Sequence, residues 1–241
     1  MSLTTGLNRR LAQLAATVAA LLFLAACAQT SANRADGVSS LPASSKIVLM
    51  PLDIELGLLN AGGIVEPRAD WTEAARGHLN TALAELLNDT NTKLVVNDGV
   101  DPYAGLGDTG VQLIKLHGAV GKSILVHQYV PPFKLPSRPE GFDWTLGPET
   151  RRLKEQFAAD YALFVFMRDS YSSSGRAAVV AIGILLGAGI QGGHQLGFAS
   201  LVDLNSGQIV WFNRLFSATG DLRTPDAAKV SATALVAGFP K

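Results

Sequence analysis

The chain carries a single cysteine among 241 residues, Cys27, directly behind a hydrophobic run. With no second cysteine no intramolecular disulfide can form, so the fold must be held by packing alone. The run adds a second constraint. Arg9 and Arg10 precede an apolar stretch from Leu11 to Leu24, closed by the small residues Ala25 and Ala26. A basic start, an apolar centre and a small-residue end form the pattern of a removable export signal. The 16 positions from Leu11 to Ala26 include Gln13, whereas a spanning helix needs about 20 apolar residues.

Two readings of Cys27 follow. In ordinary secretory cleavage at an Ala-x-Ala-like site the cysteine is incidental, which leaves an exported protein with a free thiol. In the other, Leu24-Ala25-Ala26-Cys27 resembles the lipobox of bacterial lipoproteins. That resemblance implies cleavage between Ala26 and Cys27, with Cys27 lipidated as the first residue of the mature chain. It further implies a diacylglyceryl group plus an N-linked acyl chain, and several chains hold a protein on a bilayer where one does not. Ala28 stands where aspartate favours inner-membrane retention in enterobacteria. The expectation is therefore an outer-membrane anchor facing the periplasm.

Loss of residues 1–26 leaves 215 of 241, enough for one domain with a sizeable core. The mature chain then has 18 basic against 20 acidic residues, a net charge of −2. No basic stripe is visible, which argues against nucleic acid as a partner. Residues 28–45, AQTSANRADGVSSLPASS, are small and polar. Together with Cys27 they read as a flexible tether, 27–45, ahead of one domain at 46–241.

Within that domain KIVLMPLDI (46–54) has the aliphatic content of a buried strand, with Pro51 marking an edge, a bulge or its end. Asp70 and Glu73 form a capping-box variant ahead of a helical pattern running to Asn88. KLVV at 93–96 is a short strand, and Asp108 or Thr109 caps a second helix. On that helix Leu113, Ile114, His117, Val120, Ile124 and Leu125 share one face. A third helix over roughly 149–159 leads into the strand YALFVFMRDSY. The apolar run Ala177–Ile190 is too short to span a bilayer; buried core is its default reading, and a segment dipping into the leaflet or meeting a partner is the alternative. GFASLVDL and QIVWFNRLF form a hairpin through Asn205-Ser206-Gly207, and Pro225 opens a final helix. The order of elements indicates an α/β domain, a mixed sheet with covering helices.

Motifs that could carry chemistry are incomplete. Gly187–Gly192 spells G-x-G-x-x-G, but a strand pattern follows where dinucleotide binding needs a helix. Gly118-Ala119-Val120-Gly121-Lys122-Ser123 is half a P-loop inside a helical pattern. Asp108-Thr109-Gly110 lacks a second copy to share a proton with. The histidines, His78, His117, His127 and His194, show no metal-ligand spacing. No metal and no cofactor are expected. Ser170, Ser172, Ser173 and Ser174 lack a nucleophile elbow. Asp160, Asp169 and Asp203 flank strands and could cluster at sheet ends.

KIVLMPLD as opening strand, AADYALFVFMRD as central strand and GFASLVDLNSGQIVW as closing hairpin together resemble a group of proteobacterial outer-membrane lipoproteins. These have a periplasmic α/β domain like those of the curli-secretion lipoprotein CsgG, the penicillin-binding-protein activator lipoproteins and the N-terminal domain of TolB. The resemblance implies a non-enzymatic module that binds an envelope protein from a membrane tether; it carries no catalytic positions and leaves the oligomeric state open. Two long barrel-forming hairpins are missing, which argues against a secretion pore. The proline- and aromatic-rich connection over 131–148, with Phe133, Phe142 and Trp144, is the expected partner contact. The alternative is a small-molecule or glycan-binding envelope protein, or a hydrolase using sheet-end carboxylates.

Overall fold

A computed structural model describes residues 29–36, 38–88, 93–96, 103, 105–136, 141–218 and 221–240. The signal-peptide reading of 1–26 and the lipidation of Cys27 lie outside these residues. Within them the elements run β1 (Gln29–Arg34), β2 (Lys46–Leu49), β3 (Asp53–Leu59), β4 (Val65–Pro67), α1 (Ala69–Asn88), β5 (Lys93–Val96) and α2 (Gly107–Tyr129). Then follow α3 (Arg151–Phe157), β6 (Tyr161–Ser172), α4 (Ser174–Leu185), β7 (Gln195–Asp203), β8 (Ile209–Ser217) and α5 (Pro225–Leu235).

The strands form one mixed sheet in the order β1-β8-β7-β6-β2-β5, with β3 beside β6 and carrying β4. β2 and β3 run parallel to β6; β7, β8 and β1 alternate in direction. The α/β class expected from the order of elements is the class observed. Pro51 has a visible consequence. Leu49 pairs with Leu163 and Asp53 with Phe166, so the β2–β3 side carries one residue more than β6. The extra residue falls at Met50-Pro51-Leu52, where proline has no N–H to give the ladder.

The flexible tether is corrected by β1. Residues 29–34 pair with β8 from Gln29↔Phe216 to Arg34↔Trp211. Further bonds hold the strand: the Asn33 amide donates to Tyr129 Oη (2.6 Å), and Arg34 Nη2 to the Gly238 carbonyl (2.7 Å). Ala35 and Leu41 are buried beyond it. A polar strand of this kind is held by backbone bonds to one neighbour, and composition does not reveal it. The sheet is thus already paired at Gln29.

α1 and α5 cover one face, with Leu79, Leu83, Ala228 and Leu235 packed on Leu163, Leu201 and Trp211. α2 and α3 cover the other, over Phe164, Phe166, Phe198 and Phe212. α2 crosses the strands instead of lying along them. Lys115 reaches Asp53 of β3 (3.5 Å), Gly118 lies on Phe166 of β6, Gly121 on Phe198 of β7, and Tyr129 hydrogen-bonds to Ser31 of β1. Asp53, Phe166, Phe198, Arg214 and Ser31 form one register row across the sheet, and the helix follows it. This explains the half P-loop: its two glycines let α2 approach the sheet, and Lys122 Nζ stands 4.9 Å above the Phe166 ring.

Two helix starts differ from expectation. α1 begins at Ala69, so Asp70 lies inside the first turn, where it takes both nitrogens of an Arg68 fork (3.1 and 2.9 Å) instead of capping. α2 begins at Gly107 behind Leu106 with no side-chain cap, so neither Asp108 nor Thr109 is the cap. The 205–207 hairpin is as expected. Asp203 Oδ1 accepts from the N–H groups of Asn205 (2.7 Å) and Ser206 (3.2 Å), and Gly207 takes a φ of 79°.

Candidate functional site

The expected contact residues separate. Phe142 is buried against Phe212, ring centroids 6.1 Å apart. Trp144 packs on the same core, and its carbonyl accepts from the Ile209 N–H (2.8 Å). Both rings fasten the connection to its own domain; burial corrects the assignment of Phe142 as a partner contact, while Trp144 is half-buried. Phe133 alone is exposed, at the turn closing α2, near the half-exposed Val126 and Val130.

The core reading of Ala177–Ile190 is also corrected. These residues form α4 and a returning arm that leave the sheet at Ser172 and rejoin it at Gln195. The one buried position of α4, Gly183, is covered by Ile190 of its own returning arm. Ile182, Ile184, Leu185 and Leu186 are 56%, 69%, 85% and 79% exposed. The G-x-G-x-x-G stretch is that arm, and β7 follows it. Serines clip the base. Ser173 Oγ caps α4 through the Arg176 N–H (3.1 Å), Ser172 Oγ accepts from the Gly193 N–H (2.9 Å), and Ser170 Oγ from the His194 N–H (3.1 Å). Those hydroxyls are structural.

Near this base lies a buried polar network. The Tyr171 hydroxyl donates to Asp169 Oδ2, as does the Gln195 amide (3.0 Å), and the Ser231 hydroxyl donates to Gln195 Oε1 (3.0 Å). Tyr171 Oη accepts from the Leu222 N–H (2.8 Å), while Arg223 stacks 3.8 Å over the tyrosine ring. The network joins β6, β7 and α5. Sequence reading missed it because its members lie far apart along the chain. Burial raises the pKa of Asp169 above its ordinary 3.8, against hydrogen bonds from Tyr171 and Gln195 that lower it. Burial, then the bond to Asp169, raises that of Tyr171. Asp169 therefore stabilises the fold fully below pH 3.8 and loses that contribution as pH rises through its folded value. An Asp169→Asn chain is expected to lack that decline. In urea titrations the stability of wild type minus variant should fall as pH rises from 4 to 7; a difference that grows would contradict the assignment.

Asp160 and Asp203 meet at the opposite sheet end, in an open groove of about 440 Å³ with Pro42, Ser45, Lys154 and Asn205. Asp160 Oδ2 accepts from the Lys46 N–H (3.1 Å), and Asp203 is spent on its turn. Asp169 is nine residues along β6 from Asp160, about 30 Å at strand rise. The three carboxylates share no site. His117 is a core residue bonded through one ring nitrogen: its Nε2 lies 2.8 Å from Ser200 Oγ, and its ring stacks on Phe164. Among the described residues, no three acidic, histidine or cysteine side chains converge to hold a metal.

These elements define an α/β sheet domain with an apolar hairpin at one sheet end and a polar groove at the other. No family model matches the sequence, and no curated protein does. Among solved structures the chain is similar to the PelC dodecamer from Paraburkholderia phytofirmans, at 8% identity over 88% of this chain and 99% of that one, with a TM-score of 0.38. It is also similar to a leucine-to-methionine variant of that dodecamer, at 9% identity, the same coverage and a TM-score of 0.40. A likeness this slight bears on neither partner nor assembly.

Proposed function

We propose that this chain is a lipid-anchored lipoprotein of the bacterial outer membrane, facing the periplasm, whose domain binds an envelope protein without catalysing a reaction. The observation that carries the reading is how near the sheet comes to the lipobox. β1 begins at Gln29, two residues beyond the lipobox cysteine, so an acylated Cys27 holds the domain directly at the bilayer. Several side chains that could support catalysis are engaged structurally: the serines at the hairpin base, Asp160 on the Lys46 N–H, Asp203 in its turn and His117 in the core. Exposed Phe133, with Val126 and Val130 beside it, supports a protein contact on the flank. The groove of Lys154, Asp160, Asp203 and Asn205 favours a second reading, a small polar ligand such as a glycan.

The test has two parts. The mature N-terminal peptide is expected to begin at Cys27 and carry the mass of three acyl chains; an unmodified peptide overturns the anchor. A photo-crosslinking residue at Phe133 is expected to give one discrete protein adduct in cells, absent from the Cys27→Ser chain. A ligand protecting Lys154 from amine modification, with no adduct at Phe133, would favour the groove instead.

A further inference from the structure

We infer that the α4 hairpin is a second membrane contact, dipping into the same leaflet that holds the acyl chains of Cys27; this rests on the anchored reading above. The topology carries it. Gln29 pairs with Phe216, Ser217 with Gln195, and Ser172 with Leu59. The start of β1, both roots of the hairpin and the β3–β4 turn therefore sit at one end of the sheet. Cys27 is two residues from Gln29, and two residues reach no more than about 7 Å. An anchor so short presses this end of the domain, and no other, against the bilayer.

The chemistry of the hairpin suits that surface. From Ala177 to Ile190 there is no charged side chain. Ile182, Ile184, Leu185 and Leu186 point away from the core, and Ile64, 66% exposed, adds to them from the β3–β4 turn. That turn abuts the hairpin base, where a Cβ on Gly175 would stand 3.4 Å from that of Ala61. Arg176 closes the base by donating from Nε (3.0 Å) and Nη2 (2.7 Å) to the Gln191 carbonyl. An arginine below an apolar tip stands at headgroup depth when the tip is immersed. A helix of 12 residues is about 18 Å long, too short to cross the bilayer but long enough to enter one leaflet. An apolar patch rimmed by polar residues marks a contact surface, and the anchor determines which surface it meets.

Acylation occupies the sulfur of Cys27, so an introduced cysteine is the one free thiol. The mature lipidated protein, carrying Leu186→Cys labelled with an environment-sensitive fluorophore, is reconstituted into phosphatidylethanolamine–phosphatidylglycerol vesicles. An Ala43→Cys label, in the groove at the far sheet end, is the reference; Leu185→Cys serves if Leu186→Cys perturbs the fold. The hairpin label is expected to be quenched several-fold more by nitroxide-bearing lipid than the Ala43 label, and several-fold less by aqueous iodide. Equal iodide quenching at both positions overturns the inference. So does a hairpin label shielded from both quenchers, since a protein surface, a second copy or another chain, then covers it. Acylation is read separately from the N-terminal peptide mass. If Cys27 is unmodified the anchor fails, and a Cys27→Ser, Leu186→Cys chain, whose one thiol is the hairpin's, still reports with added vesicles whether the hairpin inserts.

Discussion

Acidification from pH 6.5 toward 3 is expected to destabilise this domain by about 1.4 kcal/mol per pH unit through one residue, and replacing His117 should remove that slope. His117 is buried on the sheet-facing side of α2, its ring 5.1 Å from Phe164 and 5.2 Å from Phe198. Among the described residues its one hydrogen-bond partner is Ser200 Oγ, and Nδ1 has none. The cheaper arrangement places the proton on Nε2, donated to Ser200, and leaves Nδ1 as an unpaired acceptor. A second proton would create a charge enclosed by phenylalanine rings with no acceptor for its new N–H. Burial therefore pulls the pKa from 6.5 to about 3, although the Asp53 carboxylate pulls it upward. In the unfolded chain the residue titrates near 6.5. Its contribution to stability is complete above that value and is lost as pH falls, reaching about 5 kcal/mol over the window. Domains of this size have about 5–15 kcal/mol in total. A His117→Phe chain is expected to be somewhat less stable at pH 7, because the Ser200 hydroxyl loses its partner at about 1–3 kcal/mol. Its urea midpoint should nevertheless exceed that of wild type at pH 4. Parallel loss in both proteins would show that the acid sensitivity lies elsewhere.

What could be read from the sequence follows a physical division. The β7–β8 hairpin was legible because Asp203, Asn205, Ser206 and Gly207 determine a turn locally. The apolar face of α2 was legible because periodicity reports which side is buried. The interruption at Pro51 was legible because proline cannot give an N–H to a ladder. β1 was not: QTSANR buries little and is held by a neighbour nearly two hundred residues away in the chain. The hairpin at 177–190 misled for the opposite reason, since hydrophobicity reports avoidance of water and not what replaces it. The signal that could have corrected it is the ending. Gly187, Gly189, Gly192 and Gly193 after Ile-Leu-Leu let a helix turn back on itself, as α4 does. The three aromatics of the 131–148 connection look alike in sequence. Only the pairing of Thr145 with Gln208 draws Phe142 and Trp144 onto the core and leaves Phe133 outside.

The same substitution at two helical glycines is expected to have opposite signs. Gly77 lies on the exposed side of α1, and a Cβ there meets no atom of the described residues within 4 Å. Gly77→Ala should stabilise by up to about 1 kcal/mol, the cost of glycine in a helix interior. Gly121 gains the same propensity, but a Cβ on it collides with the Cε2 and Cζ atoms of Phe198 and stands 2.7 Å from Cδ2. That ring cannot retreat: Phe166 stacks on it at 4.7 Å and Phe212 at 5.4 Å. Gly121→Ala must therefore lift α2 from the sheet, at an overpacking cost of about 1–3 kcal/mol that exceeds the propensity gained. Gly121→Val, bulkier and β-branched, should leave too little stability to fold at 37 °C. Lifting α2 also disturbs the row it follows, from Lys115 on Asp53 to Tyr129 on Ser31, so β1 should loosen with it. Hydrogen exchange in the Gly121→Ala chain should accordingly rise at residues 29–34 while the β6–β7 pairing stays protected. A destabilised variant with β1 still protected would mean that the helix can move at its centre without releasing its far end. β1 would then be held by β8 and Gly238 rather than by α2.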